Sequence, residues 1–385
     1  MTPSPFFYND YLAARIYFTD TIPDDLFTEL KRSRLSHFIT CLRELNIAFV
    51  PFESRVFLID TAARYYNIIT NRRGAQLERY AEQIATVCST FRESFEIRFQ
   101  SQNENCADLA RLVNSKVKPD PFYQSKLIII DRGYDPVAPL VHELTYQAMI
   151  YDLLDADGDV IKIENNRPVL MDELNDPIWK KYRHAHMATC MKMIATRFDE
   201  LQKRKKRKFD NGKPTVSQLA ELMQQMPQYQ REIATVQLHM ELVELCDQHY
   251  DERVNEMCDA EQDLACEQLS NKMAQKLIIP WLLNEEISAM DKIRMILLYA
   301  INQGGISEEQ LIRLIKHASL SAADEEVIRS MAHFNVKVLK NDQNRGTRQM
   351  DRKDHSEAIK YQDSRYVPAI KDIMQVCLLY PIFLT

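Results

Sequence analysis

The strongest constraint on the fold is a change of hydrophobic period part-way along the chain. Before the run Leu127-Ile128-Ile129-Ile130, strand and helix signals alternate; from about Pro139 nearly everything has helical period. Ile16-Tyr17-Phe18 reads as a strand. Residues 24–45 read as a helix, with Leu26, Leu30, Phe38, Leu42 and Leu45 at helical spacing and Pro23 suited to its start. Residues 47–50 and 56–59 read as a second strand region, and 77–91 and 106–117 as helices. The four apolar residues 127–130 fit a short strand buried on both faces. Such alternation predicts an α/β layer with a parallel sheet.

The second part predicts a helix over 140–154, a small hairpin of 160–163 with 168–171 across Asn165-Asn166, and helices from 177 to about 332. Ser307-x-x-Gln310 and Thr215-x-x-Gln218 are capping-box spacings that mark two helix starts. Residues 340–363 are highly charged with almost no apolar side chains, and read as a mobile loop. The expected fold class is α/β, a partial three-layer domain over 1–138, followed by a mostly helical domain over 139–376 with a long helical hairpin at about 177–250; 377–385 form a tail.

One helix carries a seam. Leu219, Leu222, Met226, Tyr229, Ile233, Val236, Met240 and Val243 alternate spacings of three and four, the pattern of a helix lying along another helix. Pro227 sits inside it. An interior proline costs roughly 3 kcal/mol in a helix. The seam argues for one continuous helix and the proline for a break; a segment with two near-balanced conformations satisfies both and can act as a switch.

Several chemistries are disfavoured. The net charge of −6 argues against nucleic acid as the main ligand. The 7 glycines cannot form a dinucleotide fingerprint, a phosphate loop or a nucleophile elbow, so no cofactor and no small-molecule substrate are expected. The 8 cysteines contain no Cys-x-x-Cys pair, which fits reduced thiols in the cytosol. No apolar run reaches the roughly 20 residues of a membrane helix. His184 and His186 are two apart in a helical region and do not share a face, so a metal site there is not expected. Asp131-Arg132-Gly133-Tyr134-Asp135-Pro136 follows the apolar run; the two carboxylates at a strand end admit an α/β enzyme, but the intervening arginine is a ready partner and a structural turn is the favoured reading. Residues 203–208, Lys-Arg-Lys-Lys-Arg-Lys, read as a charged tip between two helices, a patch for anionic lipid, or the signal of a nuclear helical scaffold.

The residues also carry a family resemblance. Residues 126–136, Lys-Leu-Ile-Ile-Ile-Asp-Arg-Gly-Tyr-Asp-Pro, followed by Leu140-Val141-His142-Glu143-Leu144, resemble the signature of the Sec/Munc (SM) family of syntaxin-binding proteins. Met226-Pro227-Gln228-Tyr229-Gln230, Glu261-Gln262-Asp263-Leu264, Asp291-Lys292-Ile293-Arg294 and Arg365-Tyr366-Val367-Pro368 extend the likeness over nearly the whole chain, nearest to the exocytic branch. The resemblance implies the first part of the family's middle α/β domain, then its third, mostly helical domain. It implies a cytoplasmic regulator of vesicle fusion without enzymatic activity, peripheral at the plasma membrane through syntaxin-type and vesicle SNARE partners. By the same resemblance Pro227, Tyr229, Leu238, Met240 and Leu242 are candidate partner contacts. The family's amino-terminal domain has no counterpart in these residues, and the sequence leaves the family pattern after Val376. The strand at 127–130 is therefore expected to have unpaired edges and exposed apolar faces.

Overall fold

A computed structural model describes residues 13–19, 22, 24–45, 49–59, 73–91, 94–117, 124–163, 166–209, 216–250, 252–334, 336–340 and 365–379. The capping box expected at Thr215 and the loop expected at 340–363 lie outside them, apart from Lys340 at the loop's edge. The chain divides into two compact units, Met1–Asp131 with Phe383–Thr385, and Arg132–Ile382.

In the first unit, β1 (Ala14–Phe18) is followed by α1 (Asp24–Arg32), which opens on two acids and closes on two bases, complementing its dipole. The helix predicted to Leu45 stops here. Ser33 N donates to the Leu30 carbonyl, a 3₁₀ turn spans Arg34–Phe38, and Ile39–Glu44 forms β2 parallel to β1. The helical spacing of Phe38, Leu42 and Leu45 was outweighed by a strand partner, a non-local force that periodicity does not register. β3 (Val50–Glu53) and β4 (Val56–Leu58) form an antiparallel hairpin.

α2 (Arg73–Phe91), β5 (Ser94–Phe99), α3 (Glu104–Lys116) and β6 (Gln124–Ile129) complete the unit. Asn103 caps α3, its Oδ1 accepting from Cys106 N at 3.0 Å. β5 and β6 pair in parallel around the α3 crossover, and Cys106, Ala110 and Ile129 pack with Ile97, Phe99, Leu109 and Leu127. The parallel pairing matches the sequence reading; its continuity does not. Among the described residues the strands form separate pairs rather than one sheet. Among the described residues β6 pairs with β5 alone; Leu127 and Ile128 are half-buried and Ile129 is buried.

The second unit begins with a turn instead of the helix predicted from Leu140. α4 spans Tyr146–Leu153, because Thr145 bridges to His186 and Leu144 accepts from Met187 N at 2.8 Å. The predicted hairpin is present as β8 (Val160–Ile163) and β9 (Arg167–Leu170), with Asn166 in the left-handed region at φ 56°. A further strand, β7 (Asp155–Asp157), pairs with β8. α5 (Pro177–Tyr182), α6 (Met187–Phe209) and α7 (Val216–His249) follow, and with α4 and the hairpin they enclose one core around Tyr146, Ile150, Ile161, Trp179, Leu201 and Leu242.

A second core surrounds α10. α8 (Glu252–Cys266), α9 (Asn271–Leu283), α10 (Ala289–Asn302), α11 (Glu308–His317) and α12 (Ala322–Ser330) bury Met295, Ile296, Leu298, Tyr299 and Ala300 of α10 almost completely. α10 is therefore apolar around most of its circumference, as a central helix must be. The predicted capping box at Ser307 and Gln310 starts α11, with both reciprocal bonds formed. Gly305 adopts φ 98° against the Leu339 backbone, where a Cβ would come within 3.1 Å. α13 spans Ala369–Leu379.

Candidate partner-binding site

The Asp131–Pro136 turn is a structural junction. Asp131 N donates to Gln100 Oε1 at 3.2 Å in the first unit. In the second unit, Arg132 Nη2 donates to the Asp135 carbonyl at 2.8 Å, so the arginine braces the main chain and does not neutralise the neighbouring carboxylate as expected. Gly133, Asp135 and Pro136 are buried. Asp135 Oδ1 accepts from Val137 N at 3.2 Å, Ala138 N at 3.0 Å and the Tyr366 hydroxyl at 2.7 Å; Oδ2 accepts from Ala369 N at 2.8 Å. Ala369 opens α13, so Asp135 closes a local turn and caps a distant helix with one carboxylate. Its two oxygens thus accept four hydrogen bonds, three of them from backbone amides of the turn and of α13.

The hairpin is formed by α6 and α7. Tyr229 Oη donates to the Leu201 carbonyl at 3.2 Å, and Arg197 and Arg204 of α6 both reach Glu232 of α7, at 3.2 and 3.3 Å. α7 runs through Pro227 without a break, so this structure holds the continuous form of the two the sequence admitted. Pro227 is exposed, Tyr229 and Leu238 are half-buried against the hairpin core, and Met240 is 40% exposed. Leu242 is 0% exposed. As a packing residue it can reach a partner only by repositioning its neighbours.

Met226 and Met240 are where the predicted seam departs from the buried face. The position turned inward is His239, also 0% exposed. His239 Nε2 lies 2.7 Å from Asp176 Oδ2, and Nδ1 lies 2.7 Å from the Tyr146 hydroxyl. Burial holds the Tyr146 phenol well above its usual value, with the nearby Cys190, Cys246 and Asp176 adding to the effect. Asp176 faces Nε2 through Oδ2, and its Oδ1 caps α5 by accepting from Ile178 N and Trp179 N, each at 2.9 Å. This Tyr146–His239–Asp176 chain ties α4, α7 and α5 together. The seam was counted on apolar side chains alone, and a histidine with both nitrogens satisfied is invisible to such a count.

With His239 inside, a different stripe faces out. Met226, Gln230, Gln237 and Met240 are exposed along one line of α7, with half-buried Ile233 among them. Exposed methionines on a helix are adaptable apolar contacts. Arg167 on β9 donates to Glu241 at 2.6 Å and steadies the adjoining edge.

The histidines singled out in the sequence do not meet at a metal site. Arg183 Nε donates to His184 Nε2 at 3.1 Å, while His186 Nδ1 accepts from Ala188 N at 3.3 Å at the start of α6. A different set, His142, Cys258 and Glu261, is buried and brings its donor atoms within metal-binding reach. Glu261 accepts from His142 N at 2.9 Å and from Nδ1 at 2.9 and 3.0 Å. Burial opposes charge on the ring, but its bonds and attraction to Cys258 and Glu261 outweigh this and push it up to about 10. Arg294 Nη1 lies 2.9 Å from Nε2, so both ring nitrogens are engaged. Burial opposes charge on Asp152, but its bond and attraction to Arg294 outweigh this and hold its carboxyl below the usual range. His142, Asp152, Asp291 and Arg294 line one side of a cavity of about 390 Å³. Asp263, two residues further along α8, pairs with Arg365 beside α13.

The site is thus a helical hairpin of α6 and α7 with an exposed side-chain stripe on α7, beside polar clusters built of His239 with Asp176 and of His142 with Glu261. The model of the Sec1 family matches residues 3–379, and the chain belongs to that family. It is 28% identical to the protein transport protein sec1 of Dictyostelium discoideum, over 95% of this chain and 65% of that protein. It is likewise 28% identical to the SNARE-interacting protein KEULE of Arabidopsis thaliana, over 95% of this chain and 62% of that one. The chain thus spans less than two thirds of these relatives' length. Among solved structures, the Unc18–syntaxin 1 complex of Monosiga brevicollis superposes with a TM-score of 0.79 at 22% identity, over 94% of this chain and 69% of that one. Vps45 in complex with the Qa SNARE Tlg2 superposes with 0.76 at 18% identity, over 95% and 69%. These likenesses establish the fold.

Proposed function

We propose that the chain is a SNARE-binding regulator of vesicle docking and fusion, which acts by laying the exposed face of α7 along a SNARE helix. The observation that carries this reading is the unbroken α7 with Met226, Pro227 and Met240 turned to solvent. An amphipathic partner helix seats its apolar side in such a face. Ordering one SNARE in advance lowers the entropic cost of assembling the rest. The names of its relatives, a SNARE-interacting protein and transport proteins of the sec1 type, support the same reading and favour the exocytic branch. Syntaxin-type and vesicle SNAREs are the proposed partners, with no covalent chemistry. The hairpin of the second domain is the proposed gripping element, and the three-layer arrangement of the first is proposed with it.

Calorimetric titration of the purified chain with a vesicle-SNARE helical segment tests this. Met240→Asp should weaken binding by about 2 kcal/mol, the scale of an interface anchor, while shifting stability by less than about 0.5 kcal/mol because the position is exposed. Pro227→Ala should stabilise the continuous helix by up to about 3 kcal/mol and tighten binding. Equal affinity for all three forms would place the partner elsewhere.

A further inference from the structure

We propose that the cavity between α4, α8 and the start of α10 is a socket for a lysine or arginine side chain presented by a partner protein. Of α7 its lining includes the last residue, His249, and not the Met226–Met240 face, so the socket stands whether or not that face grips a SNARE. Its volume is about 390 Å³. That is within the range of ligand pockets, and far beyond the roughly 30 Å³ that one liquid water occupies. Glu286 and Met290 line it and are exposed, so it opens to solvent.

The lining is of two kinds. Leu153, Val254 and Met290 are apolar, while three carboxylates, Asp152, Glu286 and Asp291, stand with one guanidinium, Arg294, and the His142 ring. The cations already have tasks. Arg294 reaches both oxygens of Asp152, at 3.0 Å from Nη1 to Oδ2, and ties α10 to α4. His142 pairs with Glu261 behind it at 2.9 Å. Asp291 is held less fully. Its Oδ2 accepts from Ser288 Oγ at 2.7 Å, but Oδ1 has only Arg294 Nη1 at 3.5 Å and His142 Nε2 at 3.7 Å, at and beyond the limit of a hydrogen bond. An oxygen with accepting capacity left, beside an apolar wall, matches a cation carried on an alkyl stem. The stem would lie along Leu153, Val254 and Met290, whose flexible thioether adapts to what enters. An anion would meet the carboxylates, and a wholly apolar group would strip water from them with nothing in return.

The test is a titration of the purified chain, followed by ligand-observed NMR, with capped alanine pentapeptides bearing lysine, arginine or norleucine at the centre. The lysine and arginine peptides are expected to bind saturably and the norleucine peptide not to. Asp291→Asn keeps an oxygen for Ser288 and should weaken both cationic peptides by about tenfold or more, the scale of one hydrogen bond to a charged group. Met290→Lys puts a cation of the chain's own at the rim, on a side chain that is 57% exposed, and should weaken them as much. If Asp291→Asn loosens the start of α10, Met290→Lys carries the test alone. Equal binding of the norleucine peptide, or binding that survives Met290→Lys, overturns the proposal. So does displacement of the peptides by spermidine at a lower concentration than theirs, which would assign the socket to a free amine.

Discussion

Glu261→Ala is expected to destabilise the second unit by about 3–5 kcal/mol, the cost of removing one member of a buried, hydrogen-bonded charged network. Glu261 is 0% exposed and is the shared acceptor for the His142 main chain and ring. Its loss removes the acceptor that two donors share and the acid closest to the imidazole, which lies 2.9 Å from Arg294. Glu261→Gln keeps the volume and one acceptor, and should recover about half of the loss. Denaturant melts of the two variants would check this. Equal, small losses would mean that the loop before α4 holds without its link to α8.

Asp135→Ala should cost a similar amount, about 3–4 kcal/mol, because four donors lose one carboxylate and hydrogen bonds to charged groups contribute about 1.5–3 kcal/mol each without adding fully. The distinctive outcome is local. Ala369 N loses its cap, so amide exchange in α13 should speed up more than exchange in α10. Asp135→Asn retains an oxygen for one side only, and should protect either the 137–138 turn or α13, not both. Uniform exchange across the unit would show that the carboxylate stabilises the turn alone.

The sequence was most legible where local patterns decided the outcome. The capping box at Ser307, the hairpin closing at Asn166 and the helix predicted at 106–117 depend on neighbours along the chain, and their residue types announce them. It misled where a distant partner decided. Ile39–Glu44 became a strand because β1 lay beside it, and the helix predicted from Leu140 begins only at Tyr146, because a turn closes at Val137 and Met187 and His186 engage the backbone of Leu144 and Thr145. Of the candidate contacts, Tyr229 and Met240 could be placed on a helix by spacing. Spacing could not say that His239 would turn inward and carry Leu242 with it, since that depends on Tyr146 and Asp176, far away in sequence. The family signature at Asp135 was visible as a motif, but its reason was not: its partners Tyr366 and Ala369 lie more than two hundred residues downstream.

That distance has a consequence for how the protein comes into being. During synthesis the chain emerges amino terminus first, at roughly 5–20 residues per second. His142 can find Glu261 once α8 has left the ribosome, but Asp135 must wait until Ala369 appears. For roughly ten to fifty seconds the newborn second unit carries a buried-to-be carboxylate with only its own turn to satisfy it. The arrival of α13 is therefore the event that closes the unit, and the residues of the Asp131–Pro136 turn are the latch kept open for it.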